Sequence, residues 1–178
     1  MTADIETVFV EMPDVGTYRI DPERSTLSYS GRHMFGLGVV HATFAIDSGE
    51  VRVADPLTAS AVTVTVDAGS FHSDSAKRDN DVRGAKLLDV ATYPTITFAS
   101  DRLRQDGDKG WRLSGSVTAH GTSVPVELRI DGSVREAEGV RLHGRADHLD
   151  RCAFGVTKGR GMVGRYLDLD LDVFAVPV

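Results

Sequence analysis

Six histidines, one cysteine and an acidic run near the C-terminus are the residues of this 178-residue chain whose types suit chemistry. Hard cations favour clustered carboxylates, and "LDLDLD" supplies Asp168, Asp170 and Asp172. Two-residue spacing sets such side chains about 7 Å apart along one strand face. The glycine and terminal glutamate of a calcium loop are missing. The three aspartates therefore mark a solvated outer face, and Leu169 and Leu171 look inward. His33, His41, His72, His120, His143 and His148 form no HxH or HxxxH pair, and no cysteine cluster joins them, so no metal site is expected. There is no G-x-S-x-G elbow, and Cys152 reads as a small packed side chain near a turn. No catalytic residue is assigned, and no cofactor is expected.

A denser collection of charge lies in "SAKRDNDVRGAKLLDVATYP", residues 75–94, where Lys77, Arg78, Arg83 and Lys86 alternate with Asp79, Asp81 and Asp89. The segment has no period-two pattern and is helix-prone. Two readings stand side by side: a solvated helix with mutual ion pairs, or a helix whose cations meet an anionic head group or a partner.

The elements around it are strands. "SAVTVTVDA" sets Val62, Val64 and Val66 against Thr63 and Thr65, "VPVELRI" does the same with Val124, Val126, Leu128 and Ile130, and "YLDLDLDVFAVPV" is the plainest case. Strands are expected near 17–20, 25–33, 37–47, 59–68, 95–103, 111–119, 123–134, 139–150 and 164–175. The glycine-rich passages "MFGLGVV" and "VTKGRGMVG" are expected to bend or bulge strands. Eighteen glycines and few candidate helices favour an all-β class in a single domain. Strands with one apolar face fit either a two-sheet sandwich or a closed barrel, and periodicity does not choose between them.

A net charge of −6 without a basic tract argues against a nucleic-acid partner. No apolar run reaches the roughly 18 residues of a membrane span. Residues 1–16 read as a flexible N-terminal arm without the basic start of a secretory signal, so a cytoplasmic location is expected.

Four blocks taken together resemble the YceI-like proteins, a bacterial family of lipocalin-like, polyisoprenoid-binding barrels. They are "YRIDPERSTLSYSGRHMFGLGVVHATF", "AGSFHSDSAKRDNDVRGAKLLDVATYPTITFAS", "LSGSVTAHGTSVPVELRI" and "LDRCAFGVTKGRG", in family order. Asp21, Ser25, His33, Arg78, Asp79, Asp89, Pro94, Phe98, Gly115, Thr118, Gly121, Arg151, Phe154 and Gly155 stand where the family pattern has those types. Tyr18 replaces a common Trp, Asp81 and Val82 replace a His-Leu pair, and Leu87 and Leu88 replace an aromatic pair. Many such relatives look exported, in contrast to the expectation above.

The resemblance implies an extended antiparallel barrel of about eight strands over residues 17–178, with a short helix capping one end. It implies non-catalytic binding, storage or transport of a long-chain amphiphilic lipid of polyprenyl, isoprenoid-quinone or fatty-amide type. An enzyme acting on a sequestered lipid and a stress-related interaction module with a filled core are the alternatives. Within that frame, side-chain parity places Phe44, Ile46, Val62, Val64, Val66, Phe98, Val126, Leu128, Leu169 and Leu171 at the lumen. His33, Arg78 and Arg151 are candidates for head-group or lid contacts, while Val82, Leu87 and Leu88 are expected to plug one end. The partner is the lipid itself, with transient membrane-surface contact and a homodimer left open.

Overall fold

Alternation in the sequence becomes pleat along eleven strands: β1 (Gly16–Ile20), β2 (Thr26–His33), β3 (Gly38–Phe44), β4 (Ile46–Val53), β5 (Ala61–Asp67), β6 (His72–Ser73), β7 (Thr95–Gln105), β8 (Trp111–Ala119), β9 (Thr122–Glu136), β10 (Gly139–Asp150) and β11 (Val163–Pro177). The structure is a computed structural model and describes residues 11–108 and 110–178. One short helix, α1 (Ala76–Arg83), is found among them.

Eight strands close into an antiparallel barrel in the order β1-β4-β5-β7-β8-β9-β10-β11, with β1 returning to β11. Closure of these eight strands encloses the apolar face of the sheet, which resolves the choice between sandwich and barrel. Strand β11 is shared. Its last residues pair with β1, Tyr18 opposite Pro177 and Ile20 opposite Ala175. Its earlier part pairs with β2, Leu171 opposite Leu27 and Leu169 opposite Tyr29. From β2 the sheet continues through β3 to the two-residue β6.

The expected strand 37–47 is broken at Ala45, where the chain bends and the Ala45 carbonyl accepts from Asp67 N at 3.1 Å. Beyond the bend, β4 runs on to Val53, past the end of the expected strand at residue 47. Gly49 has a packing reason to be there: a Cβ would sit 2.6 Å from Ile20 Cδ1 and 2.9 Å from the Thr63 carbonyl oxygen. The β8–β9 connection is a two-residue turn with φ of 51° at His120 and 72° at Gly121, the positive pair that a tight hairpin with strand-like twist requires.

The passages "MFGLG" and "VTKGRGMVG" are mainly loops at one end of the barrel, and the end of the second meets the expected irregularity, where the register of β11 on β2 shifts between Val163 and Leu167. Their backbones clasp each other, Met34 N donating to Met162 O at 3.2 Å and Phe35 N to Gly161 O at 2.6 Å. Ion pairs lace the outer acidic row: Asp172 accepts from Arg141 at 2.9 Å and Asp170 meets His143 Nε2 at 3.0 Å. Exposed pairs of this kind contribute about 0–1 kcal/mol each. The expected arm over 1–16 lies outside the described residues as far as residue 10. Within the remainder, Glu11 N donates to Ser133 O at 2.9 Å, and Arg135 holds Asp14 at 2.9 Å.

Candidate functional site

The inward faces of the barrel strands enclose an apolar chamber of ≈ 120 Å³. Val62, Val64 and Val66 of β5, Phe98 of β7, Val126 and Leu128 of β9, and Leu169 and Leu171 of β11 line it, as parity placed them. Phe44 and Ile46 pack against the same core but are not part of the chamber wall. Phe44 instead lies edge-on to Phe71, with ring centroids 5.4 Å apart. Among the wall residues that the sequence reading left out are Leu27, Leu113, Val117, Leu142 and Val173. Leu113 and Leu142 carry the same alternation as their neighbours and were within reach of the parity argument.

One end of the chamber is stopped by a second small core. Phe154 and Val156 pack on Ala119, and Leu87 joins them from the segment after α1. Ile96 and Val117 belong to both this plug and the chamber wall, so the two are continuous. Leu88 is half-buried outside this cluster, its amide donating to Val82 O at 2.9 Å. Phe154 and Val156 lie in a 3₁₀ turn and the loop that follows, where no period marks a residue as inward.

The plug is fastened by Arg151, which is buried with 6% of its surface exposed. Its guanidinium donates to Val156 O at 2.6 Å, Lys158 O at 2.8 Å, Gly164 O at 2.8 Å and Val163 O at 3.0 Å. Two of these carbonyls belong to the loop before β11 and two to its first residues, so Arg151 is a clamp within the fold. A planar group with five fixed donors suits that task.

Helix α1 lies beside the plug and is polar apart from Ala76 and Val82; among its residues only Asp79 is buried. Ser75 caps its N-terminus by accepting from Arg78 N at 3.3 Å. An apolar face does not hold this helix down. Asp79 does, accepting from Ser73 N at 2.9 Å and Ser73 Oγ at 2.6 Å, with His72 Nδ1 at 3.3 Å. Burial works against the Asp79 charge, but the two Ser73 hydrogen bonds and the fields of His72 and Arg83 outweigh it and hold its pKa below the ordinary carboxylate range. Arg78 pairs with Asp74 at 2.7 Å and donates to Ser73 Oγ at 3.2 Å. Lys77 is exposed and pairs with Asp81, whereas Arg83 is half-buried and donates to the Phe71 carbonyl.

Replacing Asp79 with alanine is expected to lower unfolding free energy by about 1–3 kcal/mol, since it strands the buried Ser73 amide. The pH dependence follows from the depressed pKa. The stabilisation is complete above the unfolded-state carboxyl pKa and is lost as pH falls through the lower folded-state value. Denaturant titrations at neutral and acid pH should converge for wild type and Asp79→Ala as acidity rises.

Between α1 and the clasped loops runs a cleft of ≈ 330 Å³ bordered by Tyr29, His33, Phe71, Arg78, Val82 and Leu87, among others. His33 folds its ring over Gly38, where a Cβ would collide with Nε2. Burial pushes the Tyr29 hydroxyl pKa up, against the opposing fields of Arg151 and Arg78. The structure thus brings His33, Arg78, Val82 and Leu87 to one cleft and places Arg151 behind it as a structural clamp.

A closed antiparallel barrel around an apolar chamber, stopped at one end by a loop and a short helix, defines a lipocalin-like barrel protein. The chain belongs to the YceI-like family, whose domain model matches residues 18–175. A UPF0312 protein of Pseudomonas putida strain F1 is 31% identical over 173 residues, covering 89% of this chain and 85% of the relative. Among solved structures, BcnA of Burkholderia cenocepacia matches with a TM-score of 0.77 at 20% identity, covering 88% of this chain and 99% of that one. A polyisoprenoid binding domain from Saccharophagus degradans, described as implicated in plant cell wall breakdown, matches with a TM-score of 0.66 at 15% identity, covering 90% and 98%.

Proposed function

We propose that this protein binds the apolar tail of an amphiphilic lipid, of polyprenyl, isoprenoid-quinone or fatty-amide type, inside the barrel and stores or carries it without transforming it. The carrying observation is the chamber wall, which among the described residues contains no titratable side chain and is apolar apart from Thr97. Such a wall offers a tail favourable burial, about 0.8 kcal/mol per methylene, and offers no general acid or base. His33, the base an enzymatic reading would use, borders the outer cleft and not the chamber.

Chamber size sets how the tail is accommodated. The space is ≈ 120 Å³. It is below the roughly 300 Å³ at which small-molecule pockets begin. The chamber as it stands holds a branched end of a tail, and a longer tail reaches it by displacing Leu87, Phe154 and Val156, which separate the chamber from the surface.

Purified protein should therefore yield a stoichiometric amphiphile on denaturing extraction and mass spectrometry, or its melting temperature should rise when a prenyl alcohol is added. Absence of both results removes the proposal. An added prenyl substrate turned over, with turnover lost in His33→Ala while the lipid stays bound, establishes the enzymatic alternative instead.

A further inference from the structure

The two loops clasped at the plugged end carry a combination found nowhere else in the sequence. Segments 31–38 and 155–165 together contain Arg32, Lys158, Arg160 and Arg165 and no acidic residue, in a chain with 26 Asp and Glu and a net charge of −6. Between these cations the largest exposed apolar side chains of the described surface converge. Phe35 is 81% and Leu37 88% exposed, with Met34, Val39 and Met162 about half exposed. Apolar side chains of this size at a loop tip are maintained against hydration only if something covers them in use.

The tip is built to project. Met34 and Phe35 occupy the left-handed region with φ of 51° and 57°, which bulky residues avoid unless the surroundings fix them. The fixing comes from the opposite loop, through Met34 N to Met162 O and Phe35 N to Gly161 O. Gly161, itself at φ 82°, leaves room for the Phe35 ring where any Cβ would collide with it. Of the four cations only Arg165 has a carboxylate partner among the described residues, Asp150 at 2.8 Å.

We propose that this tip docks the protein on an anionic lipid bilayer, Phe35 and Leu37 entering the acyl boundary while Arg32, Lys158 and Arg160 meet lipid phosphates. Convex apolar side chains ringed by unpaired cations complement a negatively charged, deformable surface. They do not complement a second copy of the same tip, because a twofold axis there sets Arg32 and Arg160 against their own images. The docking role rests on the lipid-binding function proposed above, since the tip borders the cleft through Met34 and Met162, and the cleft leads to the Leu87 plug. A protein seated this way has its plug facing the membrane from which an amphiphile is drawn or to which it is returned.

Co-sedimentation with phosphatidylcholine vesicles, with and without phosphatidylglycerol, tests this. Retention is expected on the anionic vesicles only and should weaken as salt screens the phosphates. The Phe35→Ser/Leu37→Ser double variant should reduce retention about ten-fold, because most of the inserted apolar area is gone. Arg160→Glu should reduce it in the same direction. Phe35→Trp gives a second readout, an emission blue shift when vesicles are added.

The proposal is overturned if wild type ignores anionic vesicles, if the double variant binds them equally well, or if sedimentation velocity shows a dimer that the double variant abolishes. Uptake of a short prenyl alcohol from vesicle-free solution separates docking from lipid binding. Vesicle retention without uptake leaves docking standing and removes the chamber function. Uptake in both wild type and the double variant without vesicle retention does the reverse.

Discussion

Arg151→Ala is expected to produce the largest loss of stability of any single polar substitution in this protein, about 3 kcal/mol or more in a denaturant titration, from the several acceptors it leaves unpaired. The residue is buried and donates to four carbonyls, two in the loop before β11 and two at its start, so its removal strands several acceptors at once. Each stranded group costs about 1–3 kcal/mol unless water reaches it. Water entering there would also open the Phe154 and Val156 plug, because Val156 O is one of the four. Arg151→Lys keeps the charge but presents one compact donor head where a planar fork spans separate acceptors, so it should recover less than half of the loss. Full recovery by lysine would show that charge, and not the clamp geometry, is what the fold uses.

Phe98→Ala is the second large effect, and it has two parts that move in opposite directions. The ring is 9% exposed and lines the chamber, so its truncation should destabilise the unliganded protein by about 3–5 kcal/mol. Gly115 lies under the ring: a Cβ there would sit 2.8 Å from Phe98 Cε2, which shows how closely β8 supports it. The same truncation enlarges a chamber of only ≈ 120 Å³. Added prenyl alcohol should therefore raise the melting temperature of the variant by more than that of wild type, since the ligand replaces the missing contacts and binds only the folded state. An equal rise in both proteins would place the ligand outside the chamber.

Where a strand has one wet face and one dry face, the sequence names the dry residues. Val62, Val64, Val66, Leu169 and Leu171 follow from alternation alone, because a shift of one residue would move every side chain to the other face. Phe44 shows where that logic ends. It has the right parity, but its strand, β3, lies beyond β2 and outside the eight closed strands, and its ring packs against Phe71. Leu87 was recognised as an inward side chain, whereas Phe154 and Val156, its partners in the plug, sit in a turn and a loop that have no period to read. Arg151 was legible as a special residue but not as a clamp, since its partners are backbone carbonyls that any sequence supplies. The docking tip was present in the sequence only as glycine-rich punctuation, because the side of the molecule that Phe35 faces depends on left-handed backbone angles and on a second loop more than a hundred residues away.

The sharing of β11 between β1 and β2 governs the order in which these parts can come into being. Pairs such as Tyr18 with Pro177 join residues from opposite ends of the described chain, and loop closure over that separation must precede any reward from the contact. Barrels wired this way fold slowly relative to helical proteins of the same size. Until β11 is seated against β1, β2 and β10, the strands that form the chamber wall present their valines and leucines to water, and Arg151 lacks two of its four acceptors, Val163 and Gly164. The chamber, its stopper and the clasped loops therefore mature together in one late step, and the interval before that step is when this protein is most exposed to aggregation.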